Sequence, residues 1–221
     1  MRQFLLASVL VLVAPILVAS KAQAAPMLGL TVASGGHSVF QSTTFGSTGG
    51  AYSFAPVSVG NFTATNTGAL LFAPDYIDLT TFDVSSSTGG TLVITLTGTG
   101  FISPAGASNW LTQFTGNVSV GLADVSVRSY IDDSETLSNP GCAIGCTLLS
   151  NVNLGNNATA YGTSDGSFAL TEVITIKTTD AERLSLDASV SNVPEPVSLA
   201  LLGTGLVGLG MIRRGSTRTV A

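Results

Sequence analysis

The chain has 221 residues, 10% of them charged, and a formal net charge of −5. Residues 25–193 carry three basic side chains (Arg128, Lys177 and Arg183) against twelve acidic ones, nine more negative charges than positive. That excess excludes a basic footprint for phosphate and with it a nucleic-acid partner. Gly, Ser and Thr take the place of Lys, Glu and Arg, a composition that favours strands and turns over helices.

The N-terminus reads as a secretory signal. Arg2 supplies the positive start, residues 4–19 are almost wholly apolar, and Ala22-Gln23-Ala24 is the small-x-small site that signal peptidase accepts. Cleavage is expected between Ala24 and Ala25, which makes residues 1–24 a signal helix.

From residue 25 onward the repeating pattern is alternation with period two. Leu92, Ile94 and Leu96 share one face of a strand over 91–101. Val118, Val120 and Leu122 do so over 117–122, and a parity change at Val125 and Val127 predicts a bulge or short turn near Ala123-Asp124. Phe168, Leu170, Ile174 and Ile176 define a further strand. Leu184, Leu186, Ala188 and Val190 define the last, with Arg183, Ser185, Asp187 and Ser189 opposite. Turn signals stand at Ser34-Gly35-Gly36, Gly49-Gly50, Thr88-Gly89-Gly90, Gly98-Thr99-Gly100 and Asp165-Gly166. Residues 187–196 read as a polar linker. Many short strands with no helical periodicity predict an all-β domain over 25–190, an antiparallel β-sandwich of jelly-roll-like form.

Candidate sites inside this domain are few. Cys142 and Cys146, the only cysteines, are expected to form a disulfide in an oxidising compartment. The closed loop is short, so the bridge contributes only about 2 kcal/mol by the chain-entropy estimate. Asp132, Asp133 and Glu135 are oxygen ligands of the type calcium takes, without EF-hand spacing. A solvated acidic turn is the favoured reading, and no other metal or cofactor is expected. His37, the only histidine, falls in a Gly-Ser-rich turn and reads as a solvated loop residue. Trp110, near Phe101 and Phe114, is a candidate sugar-stacking surface; core packing is preferred.

Two motif matches lack the context their chemistry needs. Gly162-Thr163-Ser164-Asp165-Gly166 fits the nucleophile-elbow pattern, but no histidine follows it in the chain. Gly203-Thr204-Gly205-Leu206-Val207-Gly208 fits the dinucleotide fingerprint, but no strand precedes it and no acidic residue follows. Three Asn-x-Ser/Thr triplets, at Asn61, Asn117 and Asn157, are chance matches in so Ser/Thr-rich a chain. The domain is therefore expected to be non-enzymatic.

Residues 191–221 form a second address. Pro194-Glu195-Pro196 holds the backbone extended. The apolar run 197–212 follows, about 24 Å long as a helix and a marginal span of a 30 Å bilayer core. Arg213 and Arg214 can extend its reach and favour a cytoplasmic tail over 213–221. Tripeptide, span and arginine pair together resemble the PEP-CTERM sorting signal of Gram-negative bacteria. The resemblance implies an exosortase as processing partner, a passing stay in the inner membrane, and delivery to the cell surface or beyond, often alongside exopolysaccharide. The expected function is that of an exported envelope or matrix protein. A carbohydrate-binding or adhesive sandwich is the alternative, and a hydrolase using paired carboxylates is less favoured.

Overall fold

A computed structural model describes residues 25–46, 49–65, 67–72, 76–102, 106–121, 123–133, 146–164, 166–193 and 204–206. The signal segment 1–24, the tripeptide 194–196, Arg213 and Arg214 lie outside these residues, as does the expected anchor except for a helical turn at 204–206. Among the described residues no helix is long and apolar enough to cross a membrane.

The domain is built from antiparallel strands in two sheets. In chain order the strands are β1 (Met27–Ser34), β2 (His37–Thr44), β3 (Gly49–Phe54), β4 (Val57–Val59), β5 (Phe62–Thr65), β6 (Thr67–Phe72) and β7 (Tyr76–Ser86). They continue as β8 (Gly90–Phe101), β9 (Gly106–Val120), β10 (Ala123–Asp132), β11 (Thr147–Asn153), β12 (Asn156–Ser164), β13 (Phe168–Thr178) and β14 (Glu182–Val193). The smaller sheet runs β11-β10-β13-β8-β1-β2, and the larger runs β12-β9-β14-β7-β5-β4, with β6 also on β7 and β3 on β6.

Alternation explains which faces meet. Leu92, Ile94 and Leu96 of β8, Leu170, Ile174 and Ile176 of β13, and Leu184, Leu186, Ala188 and Val190 of β14 are all buried in one shared core. Trp110 and Phe114 of β9 join them from the larger sheet, with Phe82 of β7. Burying each of these large side chains contributes about 1.5–3 kcal/mol.

Several expected turns are placed differently. Gly49-Gly50 opens β3 instead of ending a strand. Gly98-Thr99-Gly100 lies inside β8, where Leu170 pairs with Gly98 and Phe168 with Phe101. Two residues, Thr99 and Gly100, therefore face Ala169 alone, and Gly100 takes a φ of 81° that glycine adopts without steric cost. The parity change after Val120 is the reversal from β9 to β10, with a bend at Gly121. The expected linker 187–196 is strand as far as Val193, because Ser189–Val193 keep pairing with β9 and Asn192 donates its side-chain amide to the Asn109 carbonyl at 3.1 Å.

A second bulge shapes β7. Leu186 pairs with Phe82 and Ala188 with Leu79, so Thr80 and Thr81 together stand across from Asp187. Thr81 has a φ of 49°, a left-handed conformation that costs a β-branched residue about 1–2 kcal/mol. The bulge divides the strand: Ser86 back to Asp83 pair with β5, and Thr80 back to Tyr76 pair with β6.

Candidate functional site: the polar face of the larger sheet

The outward positions of β5, β7, β14 and β9 form a row of unlike polar groups. Thr65 pairs with Asp83, Asp83 with Ser185, and Ser185 with Asn117. These residues and their neighbours Ser85, Ser119 and Arg183 line a trough of about 260 Å³. A second hollow of about 370 Å³, reaching Ser58, Asn61 and Thr63, shares Ser85 and Arg183 with it. The two adjoin at these residues, and their combined lining draws on five strands, β4, β5, β7, β9 and β14. The Arg183 backbone is held by Ser119, whose hydroxyl donates to its carbonyl at 3.0 Å. The trough thus offers a guanidinium, a carboxylate, an amide and several hydroxyls, a set suited to hydrogen-bonding a polyhydroxylated ligand.

Further along the same face, Tyr76 donates to Asp78 Oδ2 at 2.7 Å. Burial raises the Asp78 carboxyl, the Tyr76 hydrogen bond opposes that rise, and the Asp187 charge adds to it. Burial likewise raises Asp187, and burial followed by the Asp78 bond raises the Tyr76 phenol.

Glu172 is a different case. It faces the core from β13, fully buried, and neither carboxylate oxygen has a hydrogen-bond partner. Burial drives its pKa well above the ordinary carboxylate range, reinforced by the charges of Asp78 and Asp187. Its environment thus favours the protonated, neutral form over the carboxylate. Beside it, Thr112, Ser129 and Ser150 close a ring of buried hydroxyls across the two sheets, at 2.5, 2.6 and 2.7 Å.

The sequence-based candidates are dispersed. Trp110 does not reach solvent: it is 1% exposed, with its indole edge-on to Phe168 at 5.6 Å. The sugar-stacking role is thereby corrected, because Trp110 shares the inward side of β9 with Thr112 and Phe114. His37 is exposed at the start of β2 and borders a shallow hollow with Gly35 and Gly36. Ser164 closes β12 as a buried strand residue paired with Gly106. Asp132 ends β10 and Asp133 follows in a turn, while Glu135 lies outside the described residues. No group of three metal-ligating side chains occurs among the described residues. Cys142 also lies outside them; Cys146 immediately precedes β11. Ala25 is exposed at the start of the described chain, and Ala22 and Ala24 are outside it. Sequence reasoning missed the trough because its residues come from four distant segments, and only the polar side of β14 hinted at it.

The last strand leads straight into the segment that assigns the chain. A family model for the PEP-CTERM protein-sorting motif matches residues 192–214, beginning on the final two residues of β14. The chain carries a PEP-CTERM protein-sorting motif. The match takes in Pro194, Glu195, Pro196, the apolar run, Arg213 and Arg214. A PEP-CTERM motif of this kind indicates an exported protein processed by an exosortase. No curated protein matches the chain.

The motif of this chain begins at the end of a strand in the interior of a sheet. β14 lies between β9 and β7, and its pairing with β9 reaches Val193. The motif's Pro194 therefore follows directly on hydrogen-bonded backbone.

Proposed function

We propose that the chain is a non-enzymatic protein of the cell envelope or extracellular matrix. A signal peptidase removes residues 1–24, the apolar run 197–212 holds the chain in the inner membrane, and an exosortase acts at Pro194-Glu195-Pro196 before release to the surface. The folded domain is residues 25–190 with the end of β14, and the tail beyond it is the sorting signal. The single observation that carries this reading is the PEP-CTERM motif at 192–214. Its test is fractionation of cells with and without the exosortase, with mass spectrometry of the mature C-terminus. A shortened C-terminus that depends on the exosortase is the expected result; an intact tail in both strains overturns it.

The strand order supports a jelly-roll reading of the domain. β7, β14, β9 and β12 in one sheet stand against β8, β13, β10 and β11 in the other. Consecutive strands β7–β8, β9–β10, β11–β12 and β13–β14 cross between the sheets, the connectivity of a hairpin wound on itself. β1–β2 and β3–β6 extend the two sheets on one side.

A second reading, a carbohydrate-binding module, is favoured by the trough around Asp83, Asn117, Ser185 and Arg183. Asp83 and Asn117 would accept and donate hydrogen bonds to sugar hydroxyls, and Arg183 would meet a carboxylated sugar. Isothermal titration with exopolysaccharide from the host is the test. Binding lost in Asn117→Ala and Arg183→Ala supports the module, and binding unchanged in both removes it. No cofactor is required; calcium at Asp132, Asp133 and Glu135 is the one candidate, and an unmoved melting temperature under calcium titration dismisses it.

A further inference from the structure

The smaller sheet ends on two long strands that pair on one side only: β2 with β1, and β11 with β10. Among the described residues, the outer backbone of neither strand bonds to another strand. Such edges are templates for further pairing, and proteins ordinarily guard them with Lys, with Pro or by keeping them short. The larger sheet shows that guard at its β4 end, which has three residues, while its other one-sided strands β3 and β12 have six and nine. β2 has eight residues (HSVFQSTT) and β11 seven (TLLSNVN), and neither contains a charged residue or a proline.

A second observation points the same way. Five of the exposed large apolar side chains among the described residues of the domain lie on these two flanks, the others being Ile102 after β8 and Val120 at the end of β9. Val39 and Phe40 of β2 and Tyr52 of β3 lie on one; Leu148 of β11 and Tyr161 of β12 lie on the other. Phe40 is 54%, Leu148 52% and Tyr161 74% exposed. β3 and β12 are also free of charge.

The identity of the partner follows from the strand directions. All pairs in the smaller sheet are antiparallel and it has six strands, so its two edges run in opposite directions. A copy displaced sideways without rotation brings its β11 antiparallel to the first copy's β2, at nearly equal length. We propose that the exported chain assembles side by side with copies of itself through this β11–β2 pairing. The contact is heterologous and does not close, so it propagates as a linear array. Backbone hydrogen bonds supply affinity, and the apolar residues of the flanks cover one another. The proposal stands independently of any glycan in the trough.

The test uses the chain recovered from cells, analysed by sedimentation over a range of concentrations. Wild type is expected to form species longer than dimers as concentration rises, with β2 and β11 amides gaining protection in hydrogen exchange. Val39→Lys, or Phe40→Asp as a second β2 variant, stops association at the monomer. Leu148→Lys, or Asn151→Lys, does the same from the other edge. An equal mixture of a β2 variant and a β11 variant forms dimers and nothing longer, because one intact edge of each kind remains. All carry the same C-terminus, so association driven by the tail would persist in every variant. A wild type that stays monomeric, or a β2 or β11 variant that is folded by near-ultraviolet circular dichroism and elongates like wild type, overturns the proposal.

Discussion

Glu172 of β13 pairs in register with Ser129 of β10, and both side chains are fully buried between the sheets. One belongs to a closed hydroxyl ring; the other is an acid without a hydrogen-bond partner. The Glu172 pKa is raised in the folded state, so the fold holds a proton that the unfolded chain releases above its ordinary value of 4.5. Stability is therefore full below that pH and declines as pH rises toward the folded value, by at most about 1.4 kcal/mol per pH unit for one proton. Asp78 and Asp187, also raised, add in the same direction. Denaturation midpoints are expected to fall as pH rises above that ordinary value. Glu172→Gln, which cannot ionise, is expected to flatten the slope and to exceed wild type at pH 9.

Opening the hydroxyl ring has a different cost. In Thr112–Ser129–Ser150 each hydroxyl can donate once and accept once within the ring, so removal of any member leaves the other two bonded only to each other, each short of one partner away from water. Ser129→Ala is expected to destabilise by about 1–3 kcal/mol at every pH. Urea unfolding separates this from the Glu172 effect, since Ser129→Ala shifts the midpoint without changing its pH dependence.

Gly116 of β9 marks a close approach of backbones. A methyl group there would lie 2.5 Å from the Ser185 carbonyl oxygen and 2.9 Å from Leu186 Cδ2. A main-chain atom cannot turn aside as a side chain can. Gly116→Ala is expected to cost about 1–3 kcal/mol, read as a lowered thermal midpoint. Gly166→Ala, with open space around it, is the control and leaves the midpoint in place.

The proposed Cys142–Cys146 bridge closes a short loop, so its removal is expected to cost no more than about 2 kcal/mol. Intact mass before and after reduction and alkylation reads the bridge directly. Two alkylated thiols without reductant would dismiss it.

The sequence alone carried the two kinds of information that are local. A sorting signal is read by enzymes as a contiguous segment, so Pro194-Glu195-Pro196, the apolar run and the arginine pair are legible without a fold. Period-two alternation likewise exposed β8, β13 and β14, where most inward positions are apolar. The early strands β1–β7 were not delimited in the same way. β2 and β3 are rich in Ser, Thr and Gly, types equally common in turns. Gly98-Thr99-Gly100 and Gly49-Gly50 looked like turns because glycine marks any strained or crowded backbone, and only pairing with a neighbouring strand distinguishes a bulge from a reversal. The tertiary structure alone decided that Trp110 is core, that Glu172 is buried without a partner, and that Thr65, Asp83, Ser185 and Asn117 form one row. Those relationships are between strands tens of residues apart. They arise when two sheets pack, because pairing register and burial are properties of the assembled sheets and are written in no single segment of the chain.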